Sequence, residues 1–168
     1  SPSRMTTCAP LVVSNRDGSS ITYLATAGAS SAGLGPVISL YVFDPVAETF
    51  INRAHAVSVQ PQATIHSLAW FSTASGTYLV AGGVYYNNRS LFVYKFDASQ
   101  IVTGMPLTLL SAGTAGFDSQ YKGVVNAISA FTVSGMTFIA VAGQSFDGAT
   151  IRMYKFDESL GCFTQIQN

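Results

Sequence analysis

The sequence repeats itself. Residues His66 to Ser99 can be laid on Asn126 to Ser159 at a constant offset of 60, with no gap. Phe71 meets Phe131, Thr77 meets Thr137 and Gly83 meets Gly143. The stretch closes with Tyr94-Lys95-Phe96-Asp97 on Tyr154-Lys155-Phe156-Asp157, and Ser99 on Ser159. Where residues differ they keep their character: Leu68 against Ile128, Tyr78 against Phe138, Leu79 against Ile139. A weaker copy lies upstream. Tyr23-Leu24-Ala25-Thr26-Ala27-Gly28 resembles Tyr78-Leu79-Val80-Ala81-Gly82-Gly83, and Tyr41-Val42-Phe43-Asp44 resembles Tyr94-Lys95-Phe96-Asp97. Three copies, spaced by 53 and 60 at the Phe-Asp pair, span almost the whole chain. A unit of this size cannot bury its apolar face alone, so neighbouring copies must stack.

Each copy reads as four strands. In the third, Val124 to Val133 is rich in β-formers, Ser134-Gly135 is a turn, and Thr137 to Ala142 is almost continuously apolar, as expected of a strand buried on both faces. The loop Gln144 to Ala149 follows, then an alternating strand Ile151 to Phe156 and a short one at Cys162 to Ile166. The second copy offers Thr64 to Ser72, Thr77 to Gly82, Leu91 to Phe96 and Leu107 to Leu110. The first offers Pro10 to Ser14, Ile21 to Ala27, Ile38 to Phe43 and Thr49 to Ala54. Eleven Phe and eight Tyr among 168 residues fit strands, and fifteen Gly supply turns. Almost no helix is expected. The chain reads as one all-β domain over residues 1–168, divided at about 8–60, 61–116 and 117–168.

Four short strands per repeat, a small-residue second strand and an aromatic-Asp pair ending the third resemble the blades of WD-repeat and related β-propellers, such as the epilepsy-associated repeat class. Phe43-Asp44, Phe96-Asp97 and Phe156-Asp157 occupy the place that Trp-Asp holds in a WD repeat. The chain departs from that pattern: it has neither a Gly-His pair nor Trp-Asp, and its copies are longer. The resemblance implies three four-stranded antiparallel blades. Propellers have about four to eight blades, so three would leave two faces open. A homodimeric six-bladed ring is the expected closure; three copies would give nine blades. Near-zero net charge, with eight basic and eight acidic residues, leaves self-association little opposed.

The recurring Phe-Asp pairs are expected to be structural, each Asp accepting from amides of the following turn while the Phe fills the space between blades. Binding residues are sought instead in the loops between second and third strands, Ala29 to Val37, Val84 to Ser90 and Gln144 to Thr150, which differ in length and content. Tyr85, Tyr86, Asn87, Asn88 and Arg89 carry side chains favoured in contacts, and Phe146-Asp147 is their counterpart. Connections between blades share that end, which adds Tyr121 as a candidate and His55, Gln62, His66, Phe117, Gln120 and Lys122 as neighbours. For any one of these the alternative is ordinary loop packing. Asn88-Arg89-Ser90 also has the form of a glycosylation acceptor. Trp70 is expected in the core, and Cys8 and Cys162 as unpaired thiols buried in strands.

No catalytic constellation emerges: there is no Gly-x-Ser-x-Gly, no phosphate-cradling glycine loop and no His-Glu-x-x-His. Catalytic residues, a metal site and a cofactor are therefore not expected. A nucleic-acid partner is not expected without a Lys/Arg cluster, nor a membrane span without an apolar run of about 20 residues. The leading expectation is a non-catalytic scaffold that binds a protein or peptide through its loop face or central channel. A self-assembling structural repeat module, including a piece of a larger or engineered propeller, is the second reading. A carbohydrate-binding propeller is the third.

Overall fold

The computed structural model describes residues 4–15, 17–29, 38–56, 64–86, 89–110, 116–148 and 150–167. Its strands are β1 (Arg4–Ser14), β2 (Ser20–Ala29), β3 (Ile38–Asp44), β4 (Thr49–Ala56), β5 (Ile65–Thr73), β6 (Gly76–Tyr86), β7 (Arg89–Phe96), β8 (Leu107–Leu109), β9 (Gly123–Val133), β10 (Met136–Ser145), β11 (Ile151–Asp157) and β12 (Cys162–Gln167). They form three four-stranded antiparallel sheets, each a simple meander, β1 to β4, β5 to β8 and β9 to β12. A single 3-10 turn, Ala98–Ile101, is the helical content of the described residues. The expected strands are present and several run longer, β6 through Tyr86 and β10 through Ser145. Tyr85 and Tyr86 thus end a strand, with Tyr86 opposite Arg89, rather than lying in a loop.

The sheets stack face to face in chain order. One core joins the rear of sheet 1 (Tyr23, Ala25, Leu40) to the front of sheet 2 (Leu79, Phe92, Tyr94, Phe96). A second joins the rear of sheet 2 (Phe71, Tyr78, Val80, Val93) to the front of sheet 3 (Ile139, Tyr154, Phe156). Sheet 2 is therefore buried on both faces, as the apolar run in β6 requires. The run Thr137 to Ala142, expected to be buried on both faces, instead alternates in burial along β10, because no sheet among the described residues covers the rear of sheet 3. The first strands β1, β5 and β9 mediate the stacking: β5 lies against β1 and β2, and β9 against β5 and β6. Trp70 on β5 donates its indole N–H to the Ala9 carbonyl of β1 at 2.9 Å and packs edge-on to Phe96. The Trp is part of the interface core, as expected. On the next interface the Ile128 amide donates to the Ser67 hydroxyl at 3.0 Å.

The Phe-Asp pairs act as the repeat suggested. Asp44 accepts from the amides of Val46 and Ala47 at 2.9 and 3.2 Å, and Asp157 from Ser159 and Leu160 at the same distances. Asp97 accepts from the Ser99 amide at 2.9 Å and hydroxyl at 2.7 Å. Phe96 meets Tyr23 of the preceding sheet, ring centroids 5.1 Å apart, and Phe156 meets Tyr78 at 5.0 Å. The two interfaces repeat one aromatic contact. The identity of Gly83 and Gly143 has an equally local cause. Beside a β-bulge, a Cβ on Gly83 would stand 1.8 Å from the Thr64 carbonyl oxygen, and one on Gly143 1.9 Å from that of Val124. Cys162 is buried as expected, whereas Cys8 lies exposed on the front of sheet 1; both thiols are free.

Gly143→Ala forces a Cβ onto backbone that cannot give way. It should lower the free energy of unfolding in denaturant titration by about 2–4 kcal/mol; a change within measurement error would contradict the bulge as its cause. Hydrogen bonds from the side chains of Ser19, Ser99 and Ser159 chiefly hold the Asp17, Asp97 and Asp157 carboxyls below the ordinary value of 3.8. Each ionised carboxylate stabilises the turn above pH 3.8, and the contribution is lost as pH falls through the lowered value. The thermal midpoint should therefore decline on acidification below about pH 4, and more shallowly in Asp97→Asn; equal slopes would contradict this.

Candidate functional site

An antiparallel meander puts its first and third connections at one end and its second connection, with the link to the next sheet, at the other. In this chain the first end holds tight turns: Ser134 and Gly135 both have positive φ, 50° and 74°, and the Asp residues cap the rest. That end also carries the longer β7–β8 connection with its 3-10 turn Ala98–Ile101, while the links from sheet to sheet lie at the opposite, loop end. There the link from sheet 2 to sheet 3, Gly116 to Lys122, is fastened on both sides. Phe117 pairs in parallel with Phe163 of β12, and Asp118 accepts from the Gln165 amide at 2.9 Å. Gln120 is buried; its carbonyl oxygen accepts from the amides of Ser90 and Leu91, both at 3.0 Å, and its amide donates to the Leu91 carbonyl at 3.1 Å. The Ser90 hydroxyl donates to the Tyr121 carbonyl.

Arg152 completes this arrangement from β11. It is 5% exposed. Its guanidinium donates to the Gln120 carbonyl at 2.9 Å, pairs with the Asp147 carboxylate, and lies 5.4 Å from the centroid of the Tyr121 ring. Asp147 is 40% exposed, so water screens the ion pair, which by itself contributes about 1 kcal/mol at most. The guanidinium's burial is compensated mainly by the carbonyl and the ring. Burial pushes the neighbouring Tyr154 hydroxyl up to about 12. The same group shapes the loop between β10 and β11: the Ser145 hydroxyl donates to the Lys122 carbonyl at 3.0 Å, the Phe146 amide to the same carbonyl at 2.6 Å, and the Tyr121 hydroxyl to the Thr150 carbonyl at 3.3 Å. The result is a fixed turn that carries Phe146 outward, 74% exposed.

Of the residues singled out from sequence, Phe146 and Asp147 stand on that turn, and Tyr121 lies fully buried beneath it. Arg89 is half-buried at the start of β7. The backbones of Tyr85 and Tyr86 end β6; their side chains, like that of His55, are not among the described groups. Asn87, Asn88, Gln62 and the loop 30–37 lie outside the described residues. Arg152 was not singled out, although its strand shows a signal. Ile151, Met153 and Lys155 alternate with Arg152, Tyr154 and Phe156, so the Arg shares the face of two core aromatics. A charge on a core face needs partners. A cleft of about 470 Å³, lined by Lys155, Asp157, Glu158, Ser159 and Thr164 among others, lies at the turn end of sheet 3. Among the described residues no group of three or more His, Cys, Asp or Glu side chains could hold a metal ion. The chain matches no known protein-family model, and no curated protein is significantly similar to it.

Arg152→Ala should release the turn. Hydrogen exchange of amides at 145–148 and 90–91 should quicken, with a stability loss of about 3 kcal/mol. Lysine should restore little, since it lacks the planar fork. Unchanged exchange at both segments would contradict this role.

Proposed function

We propose that the chain is a non-catalytic β-propeller scaffold that binds a protein or peptide partner through its loop end. The reading rests on the stacked four-stranded sheets, which have the form of propeller blades, and on one observation above all. A large apolar side chain, Phe146, is 74% exposed on a turn whose backbone Arg152, Tyr121 and Lys122 hold from beneath. A rigid aromatic anchor loses little entropy on binding, and such anchors dominate contact energetics. Lys122, exposed beside it, and Asp147 supply a polar rim.

The second reading, a module whose partner is itself, is favoured by a different feature: among the described residues no sheet covers the outer faces of sheets 1 and 3. Phe43 is 36% exposed on one and Ile151 56% on the other. The two readings are compatible, because the loop end lies at the rim of the sheets and the open faces on their flanks.

Panning a random-peptide display library against the folded chain tests the first. Enriched peptides should lose affinity by about tenfold or more, roughly 1.4 kcal/mol, in Phe146→Ala. They should bind undiminished to Met105→Ala, a substitution at the exposed turn end. Enriched peptides that ignore Phe146→Ala, or no enrichment, would contradict the reading.

A further inference from the structure

The open faces are copies of faces that are already partnered. On the rear of sheet 2, Phe71 and Tyr78 stack across β5 and β6 with centroids 5.0 Å apart and planes at 12°. That pair receives Phe156 of sheet 3, 5.0 Å from both rings. On the rear of sheet 3, the residues 60 positions on, Phe131 and Phe138, stack across β9 and β10 at 5.8 Å and 18°. The receptor for a further Phe is formed. Its surroundings correspond too: Leu91 and Val93 beside the first pair are fully buried, while their equivalents Ile151 and Met153 are 56% exposed and half-buried.

The matching half lies at the other end of the stack. On the front of sheet 1, Leu24 is opposite Tyr41 across β2 and β3, and Phe43 follows two residues on. These positions repeat Leu79, Tyr94 and Phe96, which form the buried front of sheet 2, and Ile139, Tyr154 and Phe156, which form that of sheet 3. Phe43 is the one Phe of the Phe-Asp series without a Tyr or Phe from a preceding sheet; it touches Phe50 of its own sheet. The three described sheets therefore leave a front face on one flank of the stack and a rear face on the other, of the kind that already meet twice within it. Among the described residues no sheet brings the two together, since they flank opposite sides of the stack.

We infer that the rear of sheet 3 docks on the front of sheet 1 of a second copy, Phe43 entering the Phe131–Phe138 pair, so that two chains close head to tail into a six-sheet ring. The inference rests on reading the sheets as propeller blades and is independent of what the loop end binds. Two copies give six sheets, within the range of about four to eight blades typical of propellers. The contact is heterologous, front to rear, and rotational closure leaves no face open, whereas a contact that did not close would propagate into a filament.

Light scattering coupled to size exclusion over a wide concentration range decides it first: the mass should be twice the 17.7 kDa of one chain, with a plateau. A mass of one chain, or one that keeps rising with concentration, overturns the inference. Phe138→Glu and Phe43→Glu, both on half-open positions, should each give a folded monomer with the strand circular-dichroism signal of the parent. Mixing the two variants should restore a dimer, because one intact rear and one intact front remain. A dimer that Phe138→Glu breaks and Phe43→Glu leaves whole would be a back-to-back pair of sheet 3 faces and would overturn it equally. Failure of peptide binding at the loop end would leave these masses unchanged, so the two readings fail separately.

Discussion

The structure depends on one contact made twice: a Tyr on the second strand of one sheet against the Phe of the Phe-Asp pair on the third strand of the next. Tyr23 meets Phe96 and Tyr78 meets Phe156 at almost the same separation, 5.1 and 5.0 Å. Aromatic pairs at this range add about 0.5–1.5 kcal/mol beyond the area they bury. Position matters as much as energy. The Phe sits one residue before an Asp that caps the turn, so backbone geometry at the turn sets where the ring points. The Tyr sits on the second strand, on the face turned to the next sheet. Stacking distance, sheet order and turn placement follow from that one pair, which is why the repeat conserves both residues while the intervening loops diverge in length.

Around this contact the two ends of the stack do different things. At the turn end, short hydrogen-bonded turns satisfy the backbone locally and need little from neighbouring sheets. At the loop end the link between sheets 2 and 3 must satisfy its own backbone against both, and it does so with side chains: Gln120 of the link, Ser90 of β7 and Arg152 of β11. Rigidity there comes from polar groups that are paired inside the fold rather than from apolar burial. That polar frame lies beneath the exposed Phe146.

The architecture was legible in the sequence because the repeat and the strand period agree. The constant offset aligned Phe71 with Phe131 and Gly83 with Gly143, and the alternation within Ile151–Asp157 assigned faces correctly. The structural role of the Asp residues was legible for the same reason, since a residue required in every copy answers a need of every copy. What escaped was non-periodic. Arg152 has Phe92 as its equivalent in sheet 2, so the repeat itself conceals it. Of its partners, Gln120 and Tyr121 come from a link outside the aligned stretch, and Asp147 from the β10–β11 connection. Tyr121 was selected because links border the loop end, yet that segment folds inward to cover the edge of sheet 3, and its Tyr is buried. Strand ends were also undershot: β6 and β10 continue past their apolar runs, because hairpin pairing extends a strand wherever a partner lies alongside.

The most direct test of the central contact is a double-mutant cycle on Tyr78 and Phe156, each replaced by Leu, with unfolding free energies from denaturant titration. Leucine keeps most of the apolar volume and removes the ring-to-ring term. The account predicts a coupling energy of about 0.5–1.5 kcal/mol, and the same within error for the Tyr23 and Phe96 cycle. Additive effects at both pairs would mean that the sheets are held by area alone and that the repeated aromatic contact does not set the stacking.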